Sequence, residues 1–333
     1  MKGLKSYGYV AIGLLLVLGR YPISKWLSSR RKILKPREIA NHIAELISCT
    51  SGNDWHLVFD GPADAEPVVM IHGLNASIQH WFYQRIALRE NYRLILLDLP
   101  GHGRSPIYKN LSIDVLAADL KEILDITGTI KPVLYGHSIG AMIIMKFCIN
   151  NPDSGVKGVV LQHGSFTHPL NTAKFNLLAK LLEEPIIKPF MKFAKRNYLA
   201  FQLFSWVSYM TGLNLFLYRY LLFSGSQTPA QLRFIGKLAA RTPPQVVAEG
   251  VLRILEFDVK DYLYRIAVPA LVICAKNDTL FRPWAGRILA ENVQRGQFAL
   301  VDGGHQSMME YAEQTNLLVS GFLKGMSGEN NIS

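Results

Sequence analysis

Short apolar runs of four to six residues recur through the first half of the chain, at 56–60, 68–71, 93–97, 132–135 and 156–161. Their length and the turn residues that bound them, such as Gly61-Pro62-Ala63-Asp64, predict buried strands. Between them lie segments of helical spacing. Residues 79–88 form one, and 111–126 form another, with apolar side chains at 111, 113, 115, 116, 120, 123 and 124. Strand–helix alternation predicts an α/β fold with a mostly parallel, doubly wound sheet and helices on both faces. The alternation stops at His163. Residues 163–255 read as helical and apolar, interrupted at Pro185, Pro189, Pro243 and Pro244. It resumes with a strand at 270–274, a helix opening at Pro283, a strand at 297–301 and a last helix over 307–323. Residues 325–333 read as a frayed tail.

The N-terminus has a different pattern. Lys2 and Lys5 precede an apolar run from Tyr7 to Leu18, and Lys25, Arg30, Arg31, Lys32, Lys35 and Arg37 follow it. No small-x-small cleavage site follows the run, so residues 1–26 are expected to form an uncleaved membrane anchor, with a cleaved secretory signal as the alternative. The excess of basic residues after the run puts the main domain on the cytoplasmic side. A monotopic hairpin insertion fits the same pattern, and a cleaved signal would make the protein secreted or periplasmic. Residues 27–50 read as a basic linker. Within it, 32–50 is expected to be a short amphipathic helix with Ile39, Ile43, Leu46 and Ile47 on one side. The globular core is then expected over 51–162 and 256–325, with 163–255 as a helical lid.

The chain has 333 residues, of which 49% are hydrophobic and 18% charged, which excludes a disordered protein. Three cysteines, Cys49, Cys148 and Cys274, imply neither a disulfide framework nor a metal cluster. The net charge of +11 is unevenly spread: residues 1–50 carry +7, residues 164–235 carry +6, and the remainder carries −2. Both basic segments are also apolar and aromatic. That pairing favours an anionic membrane surface over nucleic acid as a partner.

Candidate chemistry begins at Gly136-His137-Ser138-Ile139-Gly140, which lies between the strand at 132–135 and an apolar helix over 141–147. Strand, G-x-S-x-G, helix is the context of a nucleophile elbow. The nucleophile sits on a tight turn with an unfavourable backbone, so the flanking positions must be small. Gly136 and Gly140 meet that requirement. The helix N-terminus beneath Ser138 favours developing negative charge.

From His72-Gly73, through the Asp98 to Ser105 loop and the elbow, to Asp278 and Gly304-His305, the chain resembles the α/β-hydrolase fold family. The resemblance covers roughly residues 51–325, and within the family it is most similar to lid-bearing esterases and monoacylglycerol-lipase-like enzymes. It implies that Ser138 is the nucleophile, that Asp278, after the strand at 270–274, is the acid, and that His305, after the strand at 297–301, is the base. It also implies an oxyanion hole made by the backbone N–H groups of Ile139 and Leu74. No cofactor or metal is implied. His72 and His102 read as structural, His137 as pointing away from Ser138, and His163 as a possible substrate contact. Asp98, Asp258 and Asp261 are rival acids that read as capping residues.

The segment 203–223 holds 21 residues with a single charge, Arg219. Its polar positions, and its place inside the core sequence, make it a lid rather than a membrane span. Lys188, Lys192, Lys195 and Arg196 precede it as a basic strip. The expected function is a membrane-associated serine hydrolase that cleaves acyl esters of lipid-like amphiphiles. An acyltransferase or thioesterase on the same residues, and a non-catalytic lipid-binding scaffold, are the alternatives. Oligomeric state is left open.

Overall fold

The computed structural model describes Gly13 and residues 17–40 and 43–327. Its strands are β1 (Ile43–Ser48), β2 (Asp54–Asp60), β3 (Pro67–Ile71), β4 (Arg93–Asp98), β5 (Val133–His137), β6 (Gly158–Gln162), β7 (Pro269–Ala275) and β8 (Arg295–Val301). They form one sheet in the order β1-β2-β4-β3-β5-β6-β7-β8. Every neighbouring pair is parallel except β1 with β2 and β2 with β4. The apolar runs read from the sequence are β2 to β8, with ends that differ by at most two residues. All residues of β5, β6 and β7 are buried, because helices cover both faces of the sheet.

In chain order the helices before the long insertion are α1 (Arg20–Leu27), α2 (Phe82–Leu88), α3 (Ile113–Ile126) and α4 (Ile139–Asn150). The insertion between β6 and β7 holds α5 (Pro169–Thr172), α6 (Asn176–Leu182), one π turn (Glu183–Ile187), α7 (Lys188–Arg196), α8 (Tyr198–Thr211), α9 (Leu213–Leu221), α10 (Pro229–Arg241) and α11 (Pro244–Leu255). The prolines act as expected: Pro185 sits in the π turn, while Pro189 and Pro244 lie at helix starts. After the insertion come α12 (Pro283–Asn292), α13 (Ser307–Glu310) and α14 (Ala312–Ser327). Leu120 of α3, Ile143 of α4 and Leu289 of α12 belong to the core on one face of the sheet. Phe82 of α2 and Val319 of α14 belong to the core on the other.

Three expectations are corrected. First, residues 32–50 do not form a helix: 29–40 is an extended strap and 43–48 is the edge strand β1. Four apolar positions do not separate a helix stripe from a strand. The open edge of β2 decides, because its backbone N–H and C=O groups gain partners only from another strand. Second, the folded unit begins before Ser51. α1 packs on the insertion, where Arg233 Nη1 donates to Ser24 Oγ at 2.6 Å and Gln227 Nε2 donates to the Leu27 carbonyl at 2.9 Å. Ile33 and Ile39 of the strap pack on the core. Third, the last helix is broken at Tyr311, whose φ of −128° and ψ of 50° are not helical. Most of the expected anchor run at 7–18 lies outside the described residues. Among the described residues no helix is long and apolar enough to cross a membrane. The 203–223 segment is two short helices meeting at Gly212, which has φ +87°.

One buried carboxylate ties the insertion to the loop after β8. Glu310 is 1% exposed. Its Oε1 accepts from the amides of Ser224, Gly225, Ser226 and Gln227 and from Ser224 Oγ, at 2.9 to 3.1 Å. Its Oε2 accepts from the Gly304 amide at 2.9 Å. Arg31 of the strap donates to the Glu310 carbonyl at 3.0 Å. Glu310→Gln replaces one acceptor oxygen by a donor and leaves buried N–H groups without a partner. It is expected to lower unfolding free energy by at least about 3 kcal/mol, read from urea denaturation. A variant as stable as the parent would show that solvent can replace this carboxylate.

Candidate active site

Ser138 joins β5 to α4 with φ 55° and ψ −118°, a left-handed backbone that a non-glycine residue adopts only where its surroundings impose it. A Cβ on Gly136 would lie 2.5 Å from the Ala141 nitrogen, and one on Gly140 would lie 2.2 Å from the Ile71 carbonyl oxygen. One on Gly164 would lie 2.5 Å from the Ala141 Cβ. Three glycines therefore let β3, the turn and the segment after β6 approach one another. The Ser138 amide donates to the Gln162 carbonyl at 2.9 Å, and the Ser138 carbonyl accepts from Ala141 and Met142. The two amides ahead of these, of Ile139 and Gly140, open the helix and have no acceptor inside it. Ser138 itself is half-buried.

Asp278, on the loop after β7, is 2% exposed. Its Oδ1 accepts from the amides of Leu280 at 2.8 Å and Phe281 at 3.0 Å. Its Oδ2 accepts from His305 Nδ1 at 2.9 Å. Burial pushes the carboxyl pKa up, but His305 and His163 together outweigh burial and hold it well below the usual carboxylate range. The His305 loop is gripped from several sides. His137 Nε2 donates to the His305 carbonyl at 3.0 Å, and the two rings lie 5.0 Å apart. His80 Nε2 donates to Gln306 Oε1 at 2.5 Å. Ser138 follows β5, Asp278 follows β7 and His305 follows β8, so all three lie at the same edge of the parallel sheet, the edge at which such sheets build their sites.

The loop after β3 is pinned by two neutral histidines. Leu99 N–H donates to His72 Nε2 at 3.1 Å, so His72 Nδ1 carries the proton and donates to the Gly73 carbonyl at 2.7 Å. Asn75 N–H donates to His102 Nε2 at 3.2 Å, and His102 Nδ1 faces the Pro100 carbonyl at 3.2 Å. Leu74 lies between these two anchored residues. A Cβ on Gly73 would come within 3.3 Å of the Ser138 Cβ, so the Leu74 loop runs directly beside the serine. The structural roles expected of His72 and His102 are therefore met.

His163, expected as a possible substrate contact, is instead 2% exposed, with φ 55°. Its Nδ1 lies 3.1 Å from Asp278 Oδ2 and its Nε2 lies 2.7 Å from Ser307 Oγ. Of the rival acids, Asp261 is exposed and the other two are engaged elsewhere. Asp98 accepts from the amides of Ile78 and Arg104 and from His56. Asp258 accepts from Thr167 Oγ1 and the Lys260 amide. His163, Asp278 and His305 also offer ligand atoms within 4.8 Å of one another, as a metal centre would. At 2.9 and 3.1 Å those atoms are in hydrogen-bond and ion-pair range of each other.

Sequence reading missed Gln162, His80, Ser307 and Glu310. Gln162 alone carries a local signal, as an amide ending the apolar run Val159-Val160-Leu161. Above the Leu74 loop is a cavity of about 720 Å³. Phe201, Phe204, Leu217 and Val247 line it from the insertion, and Asn75 lines it from the loop. Neither this cavity nor a larger depression of about 770 Å³ under the strap, between Tyr83 and Leu317, is lined by Ser138, Asp278 or His305; the first adjoins the site through Asn75.

The sequence profile of the alpha/beta hydrolase fold family matches residues 66–312. A curated relative, 3-oxoadipate enol-lactonase 1 of Acinetobacter baylyi, is 24% identical over 291 residues, covering 84% of this chain and 97% of the relative. Among solved structures, the enol-lactonase of Burkholderia xenovorans aligns with a TM-score of 0.69 at 21% identity, covering 84% of this chain and all of that one. A thermophilic esterase from Thermogutta terrifontis aligns with a TM-score of 0.69 at 22% identity, covering 85% of this chain and 99% of its own. At these identities the structural likeness speaks for the fold.

The pinned histidines predict acid lability. Burial lowers the pKa of His72 to about 3, and those of His80 and His102 to about 4, from an ordinary value near 6.5. Below pH 6.5 the unfolded chain binds protons that the folded state does not, so stability falls as pH falls. The three groups together are expected to remove about 4 kcal/mol between pH 7.5 and 5.5. Urea midpoints at the two pH values test this, and a flat profile would show that these rings accept protons without leaving their partners.

Proposed function

The chain belongs to the α/β-hydrolase family, and from that membership and its site we propose that it is a serine hydrolase cleaving carboxylic esters of amphiphilic, lipid-like acyl groups. The observation that carries the reading is Ser138 on its strained turn, at the same sheet edge as the Asp278–His305 pair. In this mechanism His305 Nε2 takes the hydroxyl proton as Ser138 Oγ attacks the ester carbonyl. The oxyanion is met by the N–H groups of Ile139 and Leu74, the first at the positive end of α4. His305 passes the proton to the leaving alkoxide, which departs as the alcohol. Water deprotonated by His305 then releases the acid from the acyl-enzyme. Asp278 holds His305 with its proton on Nδ1 throughout. Leu74 and Ile139 have backbone positions suited to the oxyanion role, since neighbouring residues of the Leu74 loop are anchored while the Ile139 amide opens its helix.

The apolar cavity supports an acyl chain as its occupant. The insertion that lines it, the lid of this reading, exposes Leu177, Leu199, Leu203 and Phe204, and the adjacent α1 exposes Trp26. Lys192 and Arg196 are exposed beside them, while Lys188 and Lys195 pair with Glu184 and Glu249. An apolar surface with a basic rim favours an anionic bilayer as the source of substrate. On this reading residues 1–26 anchor the same face, with the hydrolase domain on the cytoplasmic side.

A fluorophosphonate probe is expected to label Ser138, located by mass spectrometry. Ser138→Ala is expected to lose at least about 10⁴-fold in turnover of medium-chain acyl esters, and residual activity near the parent level would overturn the assignment. For the membrane, the protein is expected to co-sediment with vesicles containing phosphatidylglycerol and to release as salt rises from 0.1 to 0.5 M. Equal binding to purely zwitterionic vesicles at both salts would remove the electrostatic part of the reading.

A further inference from the structure

Asp278 Oδ2 faces two imidazoles. His305 Nδ1 lies at 2.9 Å and His163 Nδ1 at 3.1 Å, and all three residues are at most 5% exposed. The tautomer of His163 follows from its other nitrogen. Ser307 Oγ is 2.7 Å from His163 Nε2 and 3.2 Å from Gln162 Nε2. The Gln162 amide is oriented in turn by the Tyr135 hydroxyl, which donates to Gln162 Oε1 at 2.6 Å. Gln162 Nε2, which can only donate, also lies 3.4 Å from His163 Nε2, and the carboxylate beside Nδ1 can only accept, so His163 Nε2 is the unprotonated nitrogen and accepts from the Ser307 hydroxyl. His163 then carries its proton on Nδ1, facing Asp278. Tyr135 of β5, Gln162 and His163 at the end of β6, and Ser307 at the start of α13 thus form a buried relay that ends on the carboxylate facing His305. The left-handed backbone of His163, at φ 55°, is part of the same construction, because it turns this side chain under the loop of Asp278.

Resting on the serine-hydrolase reading above, we propose that His163 is a positioning residue that shares the Asp278 oxygen with His305 and thereby tunes the basicity of His305. His305 bonds this oxygen and the His163 ring nitrogen lies 3.1 Å from it at ion-pair distance, so the two rings divide its charge. With His163 present, Asp278 stabilises protonated His305 less than an undivided carboxylate would, and the ring returns its proton more readily to the leaving group. Other ionisable groups face the cluster. His137 ends β5 with its ring 5.8 Å from that of His163, His80 lies 4.9 Å from His137, and Cys274 on β7 lies under Asp278. Burial holds His137 and His80 below the ordinary imidazole range and pushes Cys274 up. Glu310 bonds the amide of Gly304, next to His305 in the chain. None of these groups contacts Asp278 Oδ2 in the arrangement described.

The test uses the rate of fluorophosphonate labelling of full-length protein as a function of pH, which needs no knowledge of the natural substrate. His163→Leu fills the space without a donor. Its acid limb is expected to move to higher pH by about half a unit, with labelling on that limb slowed by up to about threefold. His163→Asn puts an amide N–H where Nδ1 stood and is expected to restore the parent limb. Ser307→Ala frees the tautomer and is expected to move the limb in the same direction as His163→Leu, and it carries the test should the leucine variant not fold. Unmoved limbs in His163→Leu and Ser307→Ala, or a limb in His163→Asn displaced as far as in His163→Leu, would overturn the proposal and leave the nucleophile assignment standing. A parent protein that is folded and never labelled would overturn both.

Discussion

The turn at Ser138 constrains everything around it. A serine at φ 55° is held there by over-determination: its amide is bound to Gln162, its carbonyl accepts from two amides of α4, and three glycines allow the approach. Because β3 must come close enough that a Gly140 Cβ would touch the Ile71 carbonyl, β3 and β5 are neighbours at the centre of the sheet. The loop leaving β3 then has no choice but to pass beside the serine. Strand order, loop path and the exposure of one hydroxyl are consequences of a single steric requirement.

Around that turn the protein uses neutral imidazoles as structural hydrogen-bonding units. His72 and His102 each accept from one amide and face a carbonyl, while His137 and His80 brace the residues at and after His305. A neutral imidazole offers a donor and an acceptor on opposite sides of a rigid ring, which suits bridging two loops. Burial keeps these rings uncharged, so they add no competing positive charge next to Asp278. His305 differs in its partner rather than its type: its Nδ1 meets a carboxylate where the others meet carbonyls or amides. Environment, more than residue identity, separates His305 and His163, which face the Asp278 carboxylate, from the rings that brace loops.

Much of this was legible in the sequence because it is local. The strand at 132–135, the small residues of the elbow, and the loops holding Asp278 and His305 are each written in a dozen residues or fewer. The structure places Ser138, Asp278 and His305 at one edge of the sheet. What could not be read joins distant positions. His163 lies 144 residues from Ser307, and Glu310 lies 86 from Ser224, so no periodicity links them. The edge strand β1 was misread for a related reason. Its apolar set is ambiguous in isolation, and only the open edge of β2 decides between helix and strand.

Glu310 also determines where the insertion can move. Its carboxylate holds the amides of residues 224–227 together with that of Gly304, one residue before His305. Hydrogen bonds to a charged acceptor are each worth about 1.5 to 3 kcal/mol, so a hinge at this end would break several of them and disturb the histidine loop as well. α1 adds a second tie, packed against α10 through Ser24 and Arg233. The C-terminal half of the insertion is therefore part of the rigid body that carries the site. The N-terminal end of the insertion is anchored less, because α6 has no buried residue to hold it and the π turn at Glu183–Ile187 interrupts the helix after it.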